Sequence, residues 1–424
     1  MKKHKKLLIV ILALFLLILI VVKVNQKDNI VYYYKNNSLS YLKNNKPYNI
    51  TDKYMSNINI SKNKEKVLYI EYPNLYLYNT SNRKKYKIMK DVQGIEWLNN
   101  KQYIVIDKDK NLYLYNNKKK KVIDKKIDYL ISVSNPYIIY KKGEKTFIYN
   151  KKKKEIKLDS SFEISENHEN IIINKDGTLT INKLSNMKEL IKIKNVINYK
   201  CINKNCTELY YLNYERKLYL YKGKDKKIAE DVNDILAFNS KSIVYSNQDK
   251  DNYKLIIHKG NKSTILDKNK TYYNNVLMKD NKVYYLFGGI VKEVKTSGSK
   301  KHKINEDVTS IIDTFKGKLL LLKNNNLYLN DKLLGENIEV DTIKIYKNNI
   351  YYLKKKDDIP SMYNNNGKKE VKVKENVGYF TINGDTMYYI GDYNISQKYG
   401  NLYRYNSKRI IDKKVTSIVE KSIK

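Results

Sequence analysis

At 424 residues, with 83 Lys and Arg against 44 Asp and Glu, the chain carries a formal charge of +39, and its 42 tyrosines stand against 7 phenylalanines and 1 tryptophan. Only 4 prolines and 15 glycines argue against a disordered linker protein. The basic residues recur in small clusters along the whole chain rather than on one helix or stripe, which argues against a nucleic-acid partner.

The N-terminus reads as an address. Leu7 to Val22 is an unbroken apolar run, preceded by Lys2, Lys3, Lys5 and Lys6 and followed by Lys23. At about 1.5 Å per residue a helix over it spans roughly 24 Å, enough for a bilayer core if the flanking lysines snorkel. A signal peptide and a signal anchor both fit this pattern. The run ends without a small-x-small site and without a following cysteine, which favours an uncleaved anchor. The denser basic flank places residues 1–6 in the cytoplasm, 7–24 in the membrane and the rest outside. The expected location is the cell membrane, single-pass, with the bulk of the chain extracellular.

From Asn29 onward a tyrosine-rich phrase of two apolar runs split by a polar turn recurs, fullest from Tyr103 to Tyr115. Aligned on the residue that opens the second run, it returns at Leu39, Leu75, Leu112, Phe147, Leu179, Leu218, Leu255, Ile290, Leu327, Met362 and Leu402, a period of about 36 residues. Upstream of many copies lies an Asp/Asn-Val-x-x-apolar segment, as at Asp91-Val92, Asp231-Val232, Asp307-Val308 and Asn376-Val377. Downstream lies a short lysine-flanked run such as Val122-Ile123 or Ile410-Ile411. Each repeat therefore holds four short strands and no helical period.

The hairpin strands are apolar at both alternating positions, as in Leu112, Tyr113, Leu114 and Tyr115, so their sheets must be covered on both faces. A β-propeller does this by packing each four-stranded blade between two others. Lysines such as Lys118 to Lys121 and Lys151 to Lys154 then guard the outer edge strands. The first repeat begins at its hairpin and lacks the Asp-Val strand. The chain ends with a spare one, Lys414-Val415 to Ile418, which predicts a C-terminal strand that completes the first blade. The expected fold is all-β, a β-propeller of about eleven four-stranded repeats preceded by one transmembrane helix. Eleven blades exceed the usual ring, so two rings are expected, over residues 25–200 and 201–424. One ring of fewer, larger blades stays open.

The phrases Val283 to Leu286, Ile350 to Leu353, Met387 to Asp392 and Gly400 to Tyr405 resemble the repeats of bacterial extracytoplasmic propellers of the YWTD (LDL-receptor-like) and TolB-like type, with Tyr-Tyr where the receptor form has Tyr-Trp. The resemblance implies a propeller outside the cell that binds something, and it carries over no catalytic residue.

The search for chemistry yields little. His168, His258 and His302 fall in separate repeats, and no nucleophile elbow, phosphate loop or metalloprotease signature occurs. Asp107, Asp109 and Asn111 alternate like calcium ligands, but they lack the glycine and distal glutamate of a complete loop, and Asp and Asn are also what a hairpin turn wants. Cys201 and Cys206, the only cysteines, suit either a small extracellular disulfide or two free thiols. No cofactor is expected. The leading reading is a non-catalytic binding or assembly module at a Gram-positive-type envelope. Its expected partners are the cell membrane, anionic lipid headgroups or wall polymers, and an envelope protein or glycan. The alternative is a glycan-acting hydrolase or lyase on the same scaffold.

Overall fold

Short runs of Tyr, Ile, Leu and Val, each closed by an Asn-, Asp- or Gly-rich turn, form strands throughout the computed structural model, which describes residues 30–156, 162–249, 252–356 and 359–419. Paired turn residues at positive φ, such as Asn36-Asn37 (45° and 64°) and Asn324-Asn325 (43° and 63°), give the tight mirror-image turns that match strand twist. The only helical element among the described residues is a 3-10 turn at Val340–Thr342. None of their helices is long and apolar enough to cross a membrane. The anchor expected at Leu7 to Val22 lies outside the described residues.

The strands form nine four-stranded antiparallel sheets and one of seven strands. Taking each four-stranded sheet as a blade with strands a to d in hydrogen-bonded order, the second to tenth blades cover residues 56–90, 92–124, 129–156, 162–193, 196–229, 232–269, 274–305, 310–335 and 344–374. This is a propeller-like, all-β architecture. The seven-stranded sheet is two blades that share one strand. Tyr379–Asn383, Thr386–Asn394, Tyr399–Arg404 and the start of Ile410–Ile418 make the eleventh blade. The far end of Ile410–Ile418 then pairs antiparallel with Val31–Lys35, ahead of Ser38–Lys43 and Lys46–Thr51, and so supplies strand a of the first blade. Tyr33 lies opposite Ile418 and Tyr34 opposite Ser417. The spare C-terminal strand therefore sits where the sequence predicts it.

Sheets stack face to face through apolar cores. Ile172, Leu179 and Ile181 of the fifth blade meet Val196, Leu209 and Tyr211 of the sixth, so a packed core spans the seam expected near residue 200. By contacts, one compact unit holds the first, second and eleventh blades and the other mainly the third to tenth. The lysine clusters fall on d strands, where Lys119, Lys120, Lys121, Lys152, Lys153 and Lys154 are exposed. The repeat phase needs one correction. Phe147 lies opposite Tyr140, the place that Tyr76 takes opposite Tyr69, whereas the buried residue that answers to Leu75 in the eighth blade is Val291 and not Ile290. Strands apolar on both faces carry no alternation to fix phase, so a sequence reading can slip by one residue.

Candidate functional site

The b strand of most blades points a tyrosine at the preceding sheet, and the c strand sets a second ring opposite it. Tyr69 and Tyr76, Tyr140 and Phe147, Tyr211 and Tyr219, and Tyr389 and Tyr403 stack with centroids 5.8, 5.6, 5.0 and 5.2 Å apart. Lysine caps three of these stacks, Lys85 at 4.0 Å from the Tyr76 ring, Lys153 at 4.0 Å from Phe147 and Lys374 at 5.4 Å from Tyr403.

Carboxylates tie several of these tyrosines to the d strand of the blade before. Asp124 accepts from Tyr140 Oη (2.9 Å) and Lys142 Nζ (2.9 Å), and also from Lys153 Nζ. Burial opposes ionisation of Asp124, but hydrogen bonds from Lys153, Lys142, the Lys125 amide and Tyr140 outweigh it and hold the carboxyl well below the usual range. Tyr140 moves the other way, raised by burial first and by Asp124 second. Asp412 repeats the arrangement on the first blade, accepting from Tyr33 Oη (2.7 Å) and Lys35 Nζ (2.6 Å).

The first blade departs from the pattern at one residue. Opposite the fully buried Tyr33 stands Ser40, 3% exposed, where the second, fourth, sixth and eleventh blades carry a ring. No ring fills the space, and a cleft of about 500 Å³ opens beside it. Ser38 and Ser40 line it together with Lys35, Asn36, Pro47, Tyr48, Asn49, Asp52 and Asp412. Asn49 Nδ2 donates to Asp52, and Lys35 is spent on Asp412, so the cleft presents amides, hydroxyls and carboxylates but no unpaired cation. None of these lining residues stood out as a site in the sequence. A partial signal was there nonetheless: the residue after the aligned leucine is Tyr76, Tyr113, Tyr219, Tyr328 or Tyr403 in five repeats, against Ser40 here and Thr180 and Ile256 in two others.

The sequence-derived candidates sit apart from this cleft. Asp107 Oδ1 accepts from the Asn111 amide (2.8 Å), and its Oδ2 accepts from Asn111 Nδ2 (2.9 Å) and Tyr113 Oη (2.8 Å), so Asp107 and Asn111 close a hairpin turn. Asp109 lies in the same turn, followed by Lys110 at φ 61°. Among the described residues no group of three or more His, Cys, Asp or Glu could hold a metal. Cys201 and Cys206 form a disulfide with Cα atoms 4.8 Å apart, across the turn between strands a and b of the sixth blade. His168 meets Ser134, His258 meets Ser263 and His302 meets the Lys300 carbonyl, each in a different place.

No family model and no curated protein matches the chain. Among solved structures it is similar to a eukaryotic initiation factor, at 8% identity over 92% of this chain and 96% of that one, with a TM-score of 0.41. It is also similar to the tricorn protease, at 12% identity over 91% of this chain and 46% of that one, with a TM-score of 0.31. A third is Hsv2 of Kluyvelomyces marxianus, at 10% identity over 57% and 92% and a TM-score of 0.27. Likenesses at this level assign no residue and no activity.

Proposed function

We propose that this protein is a single-pass, N-terminally anchored propeller whose body lies outside the cytoplasm and serves as a non-catalytic binding module at the cell envelope. The observation that carries the binding role is the cleft made by Ser40, the one place in the first blade where the repeat gives up a buried ring for open polar space. Amides and hydroxyls with no free cation suit an uncharged, hydroxylated ligand such as a wall glycan better than a polyanion.

Ser40→Tyr tests the cleft. The new ring takes the place that Tyr76 and Tyr219 hold in their blades, so melting should stay level or rise by about 1 kcal/mol of stability. Retention of the full chain on purified wall glycan should fall at least tenfold. Undiminished retention by a folded S40Y protein overturns the cleft as the binding site. Topology is tested separately by protease treatment of intact cells: digestion before lysis is expected, and digestion only after lysis defeats the extracytoplasmic reading.

A further inference from the structure

A second cleft, of about 290 Å³, lies between the outer strands of the seventh blade and a turn of the eighth, and its chemistry is the opposite of the first. Ile257 and Lys259 on Asn252–Lys259 share one face with Thr264 and Lys262 on Lys262–Asn269, because Ile257 pairs with Thr264 and Lys259 with Lys262. Thr296 and Ser297, in the turn after Ile290–Lys295, close the other side. The next residue, Gly298, has φ 82°, and a Cβ there would lie 2.8 Å from the Thr264 methyl. Glycine therefore lets the turn approach this closely.

Two like charges directly opposite each other on a hairpin are unfavourable unless something offsets them. Three other lysines of these two sheets are offset, Lys254 by Asp249 (2.6 Å), Lys282 by Glu293 (2.7 Å) and Lys301 by Asp267 (2.9 Å), whereas Lys268 and Lys295 are not paired in this way among the described residues. Lys259 and Lys262 are exposed and make no ion pair with any described residue, and no carboxylate lines the cleft. Two lysines and three hydroxyl residues, Thr264, Thr296 and Ser297, line the cleft with the buried Ile257, and the Ser297 hydroxyl also hydrogen-bonds the Ser299 hydroxyl (2.7 Å). We infer that this cleft binds a phosphate group, a tetrahedral oxyanion that accepts charge-assisted hydrogen bonds from both lysines and neutral ones from the hydroxyls. This site is independent of the Ser40 cleft and of the anchor.

The test uses the full chain in neutral detergent with three probes: inorganic phosphate, soluble poly(glycerol phosphate), and phosphatidylglycerol vesicles against phosphatidylcholine vesicles. Binding is compared for the unaltered chain, Lys259→Gln/Lys262→Gln, and a control with the same charge change elsewhere, Lys151→Gln/Lys152→Gln. An affinity for at least one probe that falls tenfold or more in the first double variant and under twofold in the control supports the site. The probe that binds tightest then identifies the source of the phosphate as free, polymeric or lipid. Equal losses in both double variants mean diffuse surface charge and overturn the proposal, as does the absence of binding to all three probes.

Discussion

Asp91, Asn195, Asp231, Asp307, Asn376 and Lys414, each followed by Val, adopt left-handed backbone with φ between 52° and 62°. Asp and Asn tolerate that region better than other non-glycine residues. The turn lets the next amide reach the preceding blade: Val196 N–H donates to Gly177 O (2.7 Å), Val232 to Arg216 O (2.9 Å) and Val308 to Gly289 O (2.9 Å). Asp231→Val should therefore cost about 1–2 kcal/mol in denaturant titration, while Asp231→Gly stays within a few tenths. Equal stability of the two variants sinks this account. The motif was legible from sequence as the start of a strand, but its left-handed turn was not, because spacing does not report φ. Asp124 gives a second test at this scale. Its carboxyl ionises more readily in the folded chain than in the unfolded one, so its contribution is complete above the ordinary carboxylate range and is lost as pH falls through and below it. Asp124→Asn should lower stability at pH 7 by about 2 kcal/mol and flatten the decline of melting temperature between about pH 5 and pH 3.

One strand serves two blades. Ile410–Ile418 runs as the outer strand of the eleventh blade as far as Val415, which stands opposite both Gly400 and Lys35, and then as strand a of the first. Val415 and Ile418 are buried in a core with Val31, Tyr33, Leu42 and Ile390. Ending the chain after Asp412 removes both side chains and strips Val31–Lys35 of one of its two strand partners, for an expected loss of about 4 kcal/mol. Melting of the truncated chain that matches the full one refutes the latch. This element was readable in advance because it is a count: one copy lacks a strand and the terminus has one over. The Ser40 cleft is an element-level feature as well, yet it depends on which residue stands opposite which. Phe147 and Ile290 show how far the sequence leaves that open, since a strand apolar on both faces slips register at no cost to its pattern.

Across the whole molecule, tyrosine does the work that phenylalanine and leucine share elsewhere. Tyr33, Tyr69, Tyr103, Tyr140, Tyr285 and Tyr352 are buried, and burial is the first cause that raises each of their phenols. Burial likewise pushes Tyr115 and Tyr403 up to about 12. The folded state holds these protons more tightly than the unfolded one, so the stability they lend is intact below about pH 10 and is lost as pH rises from there. Absorbance near 295 nm should show only a fraction of the 42 tyrosines ionising around pH 10, with the rest appearing together as the sheets unfold. A single step near pH 10 that includes every tyrosine would contradict the buried stacks. Composition, period and the displaced strand were set by the sequence alone, because hydrophobic pattern and turn chemistry act within a few residues of the chain. The tertiary structure alone decided that Ser40 faces Tyr33 and leaves a space, that Asp124 and Asp412 reach across to the next blade, and that Lys259 and Lys262 find no ion-pair partner among the described residues. Each is a relation between strands, fixed only when packing selects one register from those the pattern permits.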